Sequence, residues 1–373
     1  MKYYSIDRAA EAVRREGAAY VLLMGGRNIG KSYQVKKKLL TDAFVNGSEL
    51  IYLRREKEDI LTDLCQRYFA DVPVNEITED LYDSIIVYQK KIFWARHDEE
   101  GVVSEKKLLG YTHALRLATH YKSVMYPNVT DVIFEEFVPD GSPYLVNEPL
   151  KLQEYISTIF RTRTGRCWLI GNTVSRLNPY AKAWHLDNVH KMHKHQIDTY
   201  TQTVNVQTRE GVISHDVKII VERCAAEGLL SKMAFGDGSG QIVSNEYRRY
   251  EQPTVDAAFI EQDCDILHEI YMFYQNLKFK LQLCQIIDPE GEHDNEVFWY
   301  CKPASGKIKQ EDLQHSRVIS DKPDYNPLHT QLKPVSGKEL AALSMLDAGR
   351  VFYSDDMTGT DFKQCYRALK RRV

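Results

Sequence analysis

Short apolar runs alternate with amphipathic segments along the first half of the chain. The runs at 18–25, 130–137 and 167–173 end abruptly in polar residues, which is typical of strands buried on both faces of a parallel sheet. Helical spacing of apolar residues predicts helices over 5–16, 32–47 and 148–160. Strands interleaved with helices indicate an α/β sheet whose ligands bind at the carboxyl ends of the strands.

The pattern changes further along the chain. Residues 84–96 alternate about Lys90 and Lys91, which predicts a hairpin, and from about 268 three alternating segments predict a second sheet. Helical stretches are expected at 337–347 and 360–371. We therefore predict three parts: an α/β domain at 1–212, a small linker or lid module at 213–255, and an α+β domain at 256–373.

A glycine-rich segment, GGRNIGKS, directly follows the first apolar run and matches the pattern GxxxxGK[ST] in full. Glycines let the backbone fold round a phosphate, and the helix that follows adds the positive end of its dipole. Lys31 would neutralise β- and γ-phosphate oxygens, and the Ser32 hydroxyl would bind Mg²⁺. The alternative is an ordinary glycine turn. The predicted nucleotide-binding residues are Gly25, Gly26, Arg27, Asn28, Ile29, Gly30, Lys31 and Ser32.

Two glutamates end the apolar run at 130–137. Glu135 is a candidate Mg²⁺ ligand, and Glu136 is a candidate general base that would polarise the attacking water. Two solvated glutamates at a strand end are the alternative. The doublet favours ATP hydrolysis on a strand-inserted (ASCE-type) sheet over a GTPase or a small-molecule kinase. Asn172, at the end of the next run, is a candidate γ-phosphate sensor, or else an Asn that begins a turn.

Charge and composition exclude some classes of protein. Lys and Arg number 49 against 52 Asp and Glu, so a net charge of −3 argues against a generally basic nucleic-acid coat. The seven Cys form no CxxC pair, and no apolar stretch approaches the ~18 residues of a membrane span. We expect a soluble, intracellular protein without a membrane partner. His185, His190, His193 and His195 lack convergent ligands and are not predicted to bind metal.

Five sequence blocks follow one another along the first half of the chain: GGRNIGKSY (25–33), IYLRR (51–55), KSVMYPNVTDVIFEEF (122–137), STIFRTR (157–163) and GNTVSRLNPY (171–180). YPNV leading into the strand that ends at Glu135, with NPY after the Asn172 strand, is more specific than the glycine-rich loop alone. Taken together, these blocks resemble the DNA-packaging (encapsidation) ATPases of small protein-primed tailed phages of the Picovirinae type, compact relatives of the large terminase subunits.

The resemblance implies a function and partners. The family forms a ring, pentameric in known members, that docks on the portal of an empty procapsid and translocates double-stranded DNA with ATP. Arg161 falls on the family's trans-acting arginine finger, Lys122 on a second basic residue that reaches a neighbour's nucleotide, and Lys57 on a residue that grips DNA. Glu135 differs from the family's pattern, in which Asp is common at this position. The expected location is the host cytoplasm, transiently at the portal vertex, and not the mature virion.

The second domain and the alternatives follow from the same resemblance. Large terminases end in an RNase-H-like nuclease with clustered aspartates, but the strand near 268 contains no Asp, and Asp288, Asp355 and Asp356 come later. We expect a vestigial nuclease fold that docks on the portal. Alternatives are a helicase, a nuclease-active terminase, or a docking protein whose nucleotide only locks assembly. Whether a packaging RNA takes part stays open.

Overall fold

The computed structural model describes nine stretches of the chain: residues 3–139, 144–172, 178–208, 211–226, 252–274, 277–287, 296–304, 317–320 and 344–370. The chain divides into two compact units. The first unit comprises Met1–Val174 and Ala183–Glu246, and the second comprises Ser175–Lys182 and Tyr247–Val373. Within the described stretches, no helix is both long and apolar enough to cross a bilayer.

A nine-stranded sheet organises the described part of the first unit. Its strands are β1 (Tyr20–Gly25), β2 (Glu49–Arg54), β3 (Ser84–Tyr88), β4 (Lys91–His97), β5 (Val103–Ala114), β6 (Val129–Glu135), β7 (Arg166–Asn172), β8 (Ile197–Thr208) and β9 (Gly211–Cys224). Their order across the sheet is β3-β4-β5-β2-β6-β7-β1-β9-β8. From β5 to β9 neighbouring strands are parallel, and β3, β4 and β8 add antiparallel pairs at the two sides. The predicted mixed α/β class is confirmed.

Helices cover the sheet because each has one apolar face. They are α1 (Asp7–Glu16), α2 (Lys31–Asn46), α3 (Thr62–Phe69), α4 (Val74–Thr78) and α5 (Glu148–Phe160), with 3₁₀ turns at Glu58–Ile60, Leu115–Tyr121 and Val189–Lys191. A short helix, α6 (Pro179–Ala183), follows β7. α1 ends at Gly17, whose φ of 65° lies in the left-handed region that glycine adopts without steric cost. Val13, Leu23 and Leu39 share one buried core.

The strand pairings settle two local predictions. The hairpin predicted at 84–96 is confirmed, since β3 pairs antiparallel with β4 from Ser84–Ala95 to Tyr88–Lys91. The start of a separate module at 213 differs from the structure, because β9 crosses that position and pairs with β1 from Tyr20–Ile219 to Gly25–Cys224. Ile219 and Ile220 are fully buried there, so the sheet extends to residue 224.

The second unit contains a five-stranded sheet in its described part. Its strands are β10 (Cys264–Tyr274), β11 (Leu277–Ile286), β12 (Val297–Pro303), β13 (Arg317–Ser320) and β14 (Val351–Tyr353), in the order β13-β10-β11-β12-β14. The three strands predicted from about residue 268 correspond to β10, β11 and β12, which form an antiparallel meander. β13 is parallel to β10, and β14 is parallel to β12. Trp299 lies at the centre of its apolar core.

Two helices, α7 (Ala257–Gln262) and α8 (Asp356–Lys370), accompany this sheet. The helix predicted at 360–371 therefore begins earlier than expected. It does so because Asp355 accepts hydrogen bonds from the Thr358 amide at 2.9 Å and the Thr358 hydroxyl at 2.7 Å, which caps the first turn. Asp288 and residues 337–343 of the other predicted helix lie outside the described stretches.

Candidate nucleotide site

The glycine-rich loop leaves the carboxyl end of β1 and enters α2. A side chain at Gly25 would place its Cβ 2.3 Å from the Cys224 carbonyl oxygen, so the packing of β9 against β1 requires glycine there. Gly30 is the residue before α2 and has a φ of 94°, which again favours glycine. The loop thus turns sharply and presents the amino end of a 16-residue helix at the edge of the sheet.

The Lys31 side chain lies inside this turn. Its ammonium group donates to the Gly25 and Gly26 carbonyl oxygens at 3.3 and 2.5 Å and to Asn172 Oδ1 at 3.1 Å. Asn172 comes so close because β7 is parallel to β1, and Gly25 and Asn172 lie opposite each other in the register. Burial disfavours the charged form and lowers the pKa of Lys31 to about 8. The structure therefore brings the predicted phosphate lysine and the predicted sensor together.

Glu135 ends β6 and is almost wholly buried. Burial raises the pKa of its carboxyl group, while hydrogen bonds from the Ser32 and Tyr68 hydroxyls favour the ionised form. A hydroxyl and a carboxylate side by side are hard oxygen donors, the kind that Mg²⁺ prefers. The residues present therefore fit a divalent cation at the place where the sequence predicted one, and Ser32 and Glu135 are the residues that would hold it.

Glu136 has a different environment from its neighbour. Its side chain is exposed, and its φ of 54° is in the left-handed region, which is uncommon for a residue other than glycine. Arg54, the last residue of β2, donates from Nη2 to Glu136 Oε2 at 2.6 Å. The candidate general base is thus paired with an arginine that sequence reasoning did not select.

Arg55 stabilises the left-handed backbone conformation of Glu136 through hydrogen bonds. Its guanidinium donates to the Glu136 and Phe137 carbonyl oxygens at 3.0 and 2.8 Å and, from Nε and Nη2, to both carboxylate oxygens of Glu148 at 2.7 and 2.9 Å. The Arg55 side chain is 5% exposed and that of Glu148 0%. This buried ion pair fixes the turn that positions Glu136, because backbone in a sparsely populated region persists only when its surroundings hold it.

A cavity of about 570 Å³ opens beside these carboxylates. Lys57, Lys122 and Arg161 are exposed and do not line it. Lys57 forms an ion pair with Glu58, Lys122 ends the 3₁₀ turn at Leu115–Tyr121, and Arg161 ends α5 with a φ of 53°. The cavity is lined by Ser32, Tyr33, Lys36, Arg54, Arg67, Tyr68, Ala70, Asp71, Glu135 and Glu136.

Sequence reasoning missed three residues that the structure places at this site. Arg54 ends β2, the direct neighbour of β6, and Arg55 follows it. Tyr68 reaches Glu135 from α3. The two arginines carried a signal, because paired cations after one apolar strand match paired carboxylates after another. Tyr68 carried none, because only the packing of α3 brings it near the sheet edge.

One protein family matches the chain over its whole nine-stranded sheet. The model of the podovirus DNA encapsidation protein (Gp16) family matches residues 13–233, which is more than half of the chain and includes β1 to β9. The chain belongs to the podovirus DNA encapsidation protein family.

Proteins similar to this chain are found in phages of Bacillus. The chain is 32% identical over 161 residues to the DNA packaging protein of phage phi29 and 34% identical over 161 residues to that of phage B103. The matched region is 42% of this chain and 44% and 45% of those proteins. The match thus spans less than half the length of the curated relatives.

The chain is also similar to solved structures of packaging motors. The bacteriophage phi29 genome packaging motor assembly gives a TM-score of 0.48 with 18% identity, covering 98% of this chain and 99% of the other. The N-terminal domain of the phi29 DNA packaging ATPase gives 0.44 with 25% identity, covering 59% and 95%.

The histidines and acidic residues elsewhere have other surroundings in the described part of the chain. Over that part, no group of three or more His, Cys, Asp or Glu side chains could hold a metal ion. His193 and His195 lie in the turn before β8, where His195 has a φ of 64°, rather than on one face of a strand. Asp355 instead caps α8.

Proposed function

We propose that this chain is the ATPase of a viral DNA-packaging motor, which hydrolyses ATP to move double-stranded genomic DNA through the portal into a preformed procapsid. The observation that carries the proposal is the convergence of Lys31, Ser32, Glu135 and Asn172 at one sheet edge. At this edge β6 ends in Glu135 and β7 ends in Asn172. β7 lies between β1 and β6, which is the strand order of the strand-inserted ATPase class.

Each group has a role that its surroundings support. Backbone amides of residues 25–30 and the amino end of α2 would hold the phosphates, with Lys31 turning from the loop carbonyls to phosphate oxygens. Ser32 and Glu135 would hold Mg²⁺, which supplies charge neutralisation on the phosphates. Glu136 would orient and deprotonate the attacking water, and Asn172 would contact the γ-phosphate.

Completion of the site by a neighbouring subunit is the second part of the proposal. Arg161 follows α5 and Lys122 follows the 3₁₀ turn at Leu115–Tyr121, and both side chains are exposed. Exposed positions of this kind suit residues that reach another chain. An arginine supplied in trans stabilises the charge that develops on the transferred phosphoryl group. We therefore infer a homo-oligomeric ring, a pentamer by family analogy, with Lys57 as a DNA contact.

The second unit would serve as a portal-docking module. The antiparallel β10-β11-β12 meander with β13 parallel to β10 supports the proposal of an RNase-H-like sheet. Asp355 and Asp356 are engaged in hydrogen bonds with Thr358 and with the Gln252 amide, so they favour a structural role over metal binding. A vestigial nuclease fits this arrangement. The motor would act in the host cytoplasm, transiently at the portal vertex.

The test is ATP hydrolysis by purified protein with and without double-stranded DNA. Lys31→Ala, Glu136→Gln and Arg161→Ala should each abolish turnover, because each removes a different part of one site. Mixing Arg161→Ala with Glu136→Gln should restore activity, since some interfaces then contain an intact arginine facing an intact glutamate. Absence of rescue would refute the trans arginine, and DNA-dependent strand separation would favour a helicase.

A further inference from the structure

One aromatic side chain of α3 reaches the carboxylate that we assign to the metal. The Tyr68 hydroxyl donates to Glu135 Oε1 at 2.9 Å. Its half-buried ring stacks on Tyr52 with 4.2 Å between centroids, and Phe69 packs edge-on against it at 4.9 Å. The ring is thus held on two sides, so the hydroxyl has little freedom to leave Glu135.

The other side of Tyr68 is held by α2. The Lys36 ammonium lies 4.3 Å above the Tyr68 ring, donates to the Tyr68 carbonyl oxygen and forms an ion pair with Asp71, just beyond α3. Lys36 comes one helical turn after Ser32, so the two side chains lie on the same face of α2. The face of α2 that offers the Ser32 hydroxyl therefore also fixes α3.

This arrangement has a definite chemical consequence at Glu135. A phenol facing a carboxylate donates its hydroxyl proton to one carboxylate oxygen, here Glu135 Oε1. Because the Tyr68 ring is packed on both sides, this contact fixes the orientation of the Glu135 carboxylate. A cation site needs its ligand oxygens held in fixed positions, and hydrogen bonds to the ligands supply that.

We propose that Tyr68 is a positioning residue that orients Glu135 for a divalent cation bound together with nucleotide. The inference rests on the proposed function, because it assumes that Glu135 is a metal ligand. The competing interpretation is that Tyr68 only packs in the core and that its hydroxyl bonds to the nearest acceptor. Residues that hydrogen-bond a metal ligand typically change metal affinity about 10–100-fold when they are replaced, and a packing residue would not.

The experiment measures Mn²⁺ binding by electron paramagnetic resonance in the presence of a non-hydrolysable ATP analogue, so that it does not depend on turnover. Tyr68→Phe removes the hydroxyl and keeps the ring. The matched control is Tyr82→Phe, which removes the hydroxyl of another tyrosine that donates to a glutamate, Glu105 at 3.3 Å, and that does not line the cavity. Binding of the analogue in EDTA is measured for every variant.

We expect Tyr68→Phe to weaken Mn²⁺ binding about 10-fold, with analogue binding in EDTA and Mn²⁺ binding by Tyr82→Phe unchanged. In a Glu135→Gln background, Tyr68→Phe should cause no further loss, because Tyr68 acts through that carboxylate. Wild-type Mn²⁺ affinity in Tyr68→Phe, or an equal loss in Tyr82→Phe, would overturn the inference. If Tyr68→Phe does not fold, Tyr68→Met supplies a second hydroxyl-free variant.

The same data separate this inference from the proposed function. If wild type binds no Mn²⁺ with the analogue, or if Glu135→Gln binds it as well as wild type, the metal site itself is wrong. If Glu135→Gln weakens Mn²⁺ binding and Tyr68→Phe does not, the metal site stands and only the positioning role is refuted.

Discussion

The buried pair of Arg55 and Glu148 offers the sharpest test of how the site is held. Arg55→Met keeps most of the side-chain length but removes two contacts to the Glu148 carboxylate and one each to the Glu136 and Phe137 carbonyl oxygens. Glu148 would then be a fully buried carboxylate without its main cation. Breaking such a pair from one side costs about 3–5 kcal/mol of the free energy of unfolding.

Urea unfolding followed by tryptophan fluorescence measures this cost. The matched control is Arg67→Met, which breaks the pair of Arg67 with Asp63, whose side chains are 76% and 71% exposed, and should cost about 0.5 kcal/mol. Because much of the penalty is the stranded charge, Arg55→Met with Glu148→Leu should recover a large part of the loss. The double variant should nevertheless remain slow in ATP hydrolysis, because Glu136 still lacks its carbonyl support.

Two results would refute this reasoning. A cost for Arg55→Met no larger than that for Arg67→Met would mean that the pair is not desolvated in solution. Full recovery of both stability and ATP hydrolysis in the double variant would mean that Arg55 does not position Glu136.

Three further predictions concern pH and packing. Nucleotide affinity should fall as pH rises through about 8, where Lys31 loses its proton, and a labelled-nucleotide titration should show no such fall for Lys31→Arg. Burial lowers the pKa of His113 to about 3, so as pH drops below 6.5 the unfolded state binds a proton that the folded state does not. The free energy of unfolding of wild type should therefore fall by about 2 kcal/mol between pH 7 and 5 through this group. Urea unfolding of His113→Gln should not show this part of the fall. Gly25→Ala should cost about 1–3 kcal/mol in urea unfolding, because its Cβ meets the Cys224 carbonyl, and an unchanged midpoint would contradict that packing.

Much of the fold could be predicted because local chemistry sets it. The run that became β1 is apolar throughout and wholly buried, and Gly17 and Gly47 end α1 and α2 with left-handed φ values near 65° and 63°. The sequence also predicts where β6 and β7 end, since each apolar run stops at a polar residue. These features need only a few neighbouring residues, so the sequence carries them.

The tertiary structure alone decided which strands are neighbours and what stands beside each candidate residue. β9 joins β1 although almost 200 residues separate them in the chain, and no local pattern specifies that partner. The opposition of Gly25 and Asn172, the pairing of Arg54 with Glu136 and the contact of Tyr68 with Glu135 all depend on strand order and on the packing of α3. Hydrophobic burial drives that packing without regard to direction, so the sequence determined which groups could act, and the assembled sheet determined which of them meet.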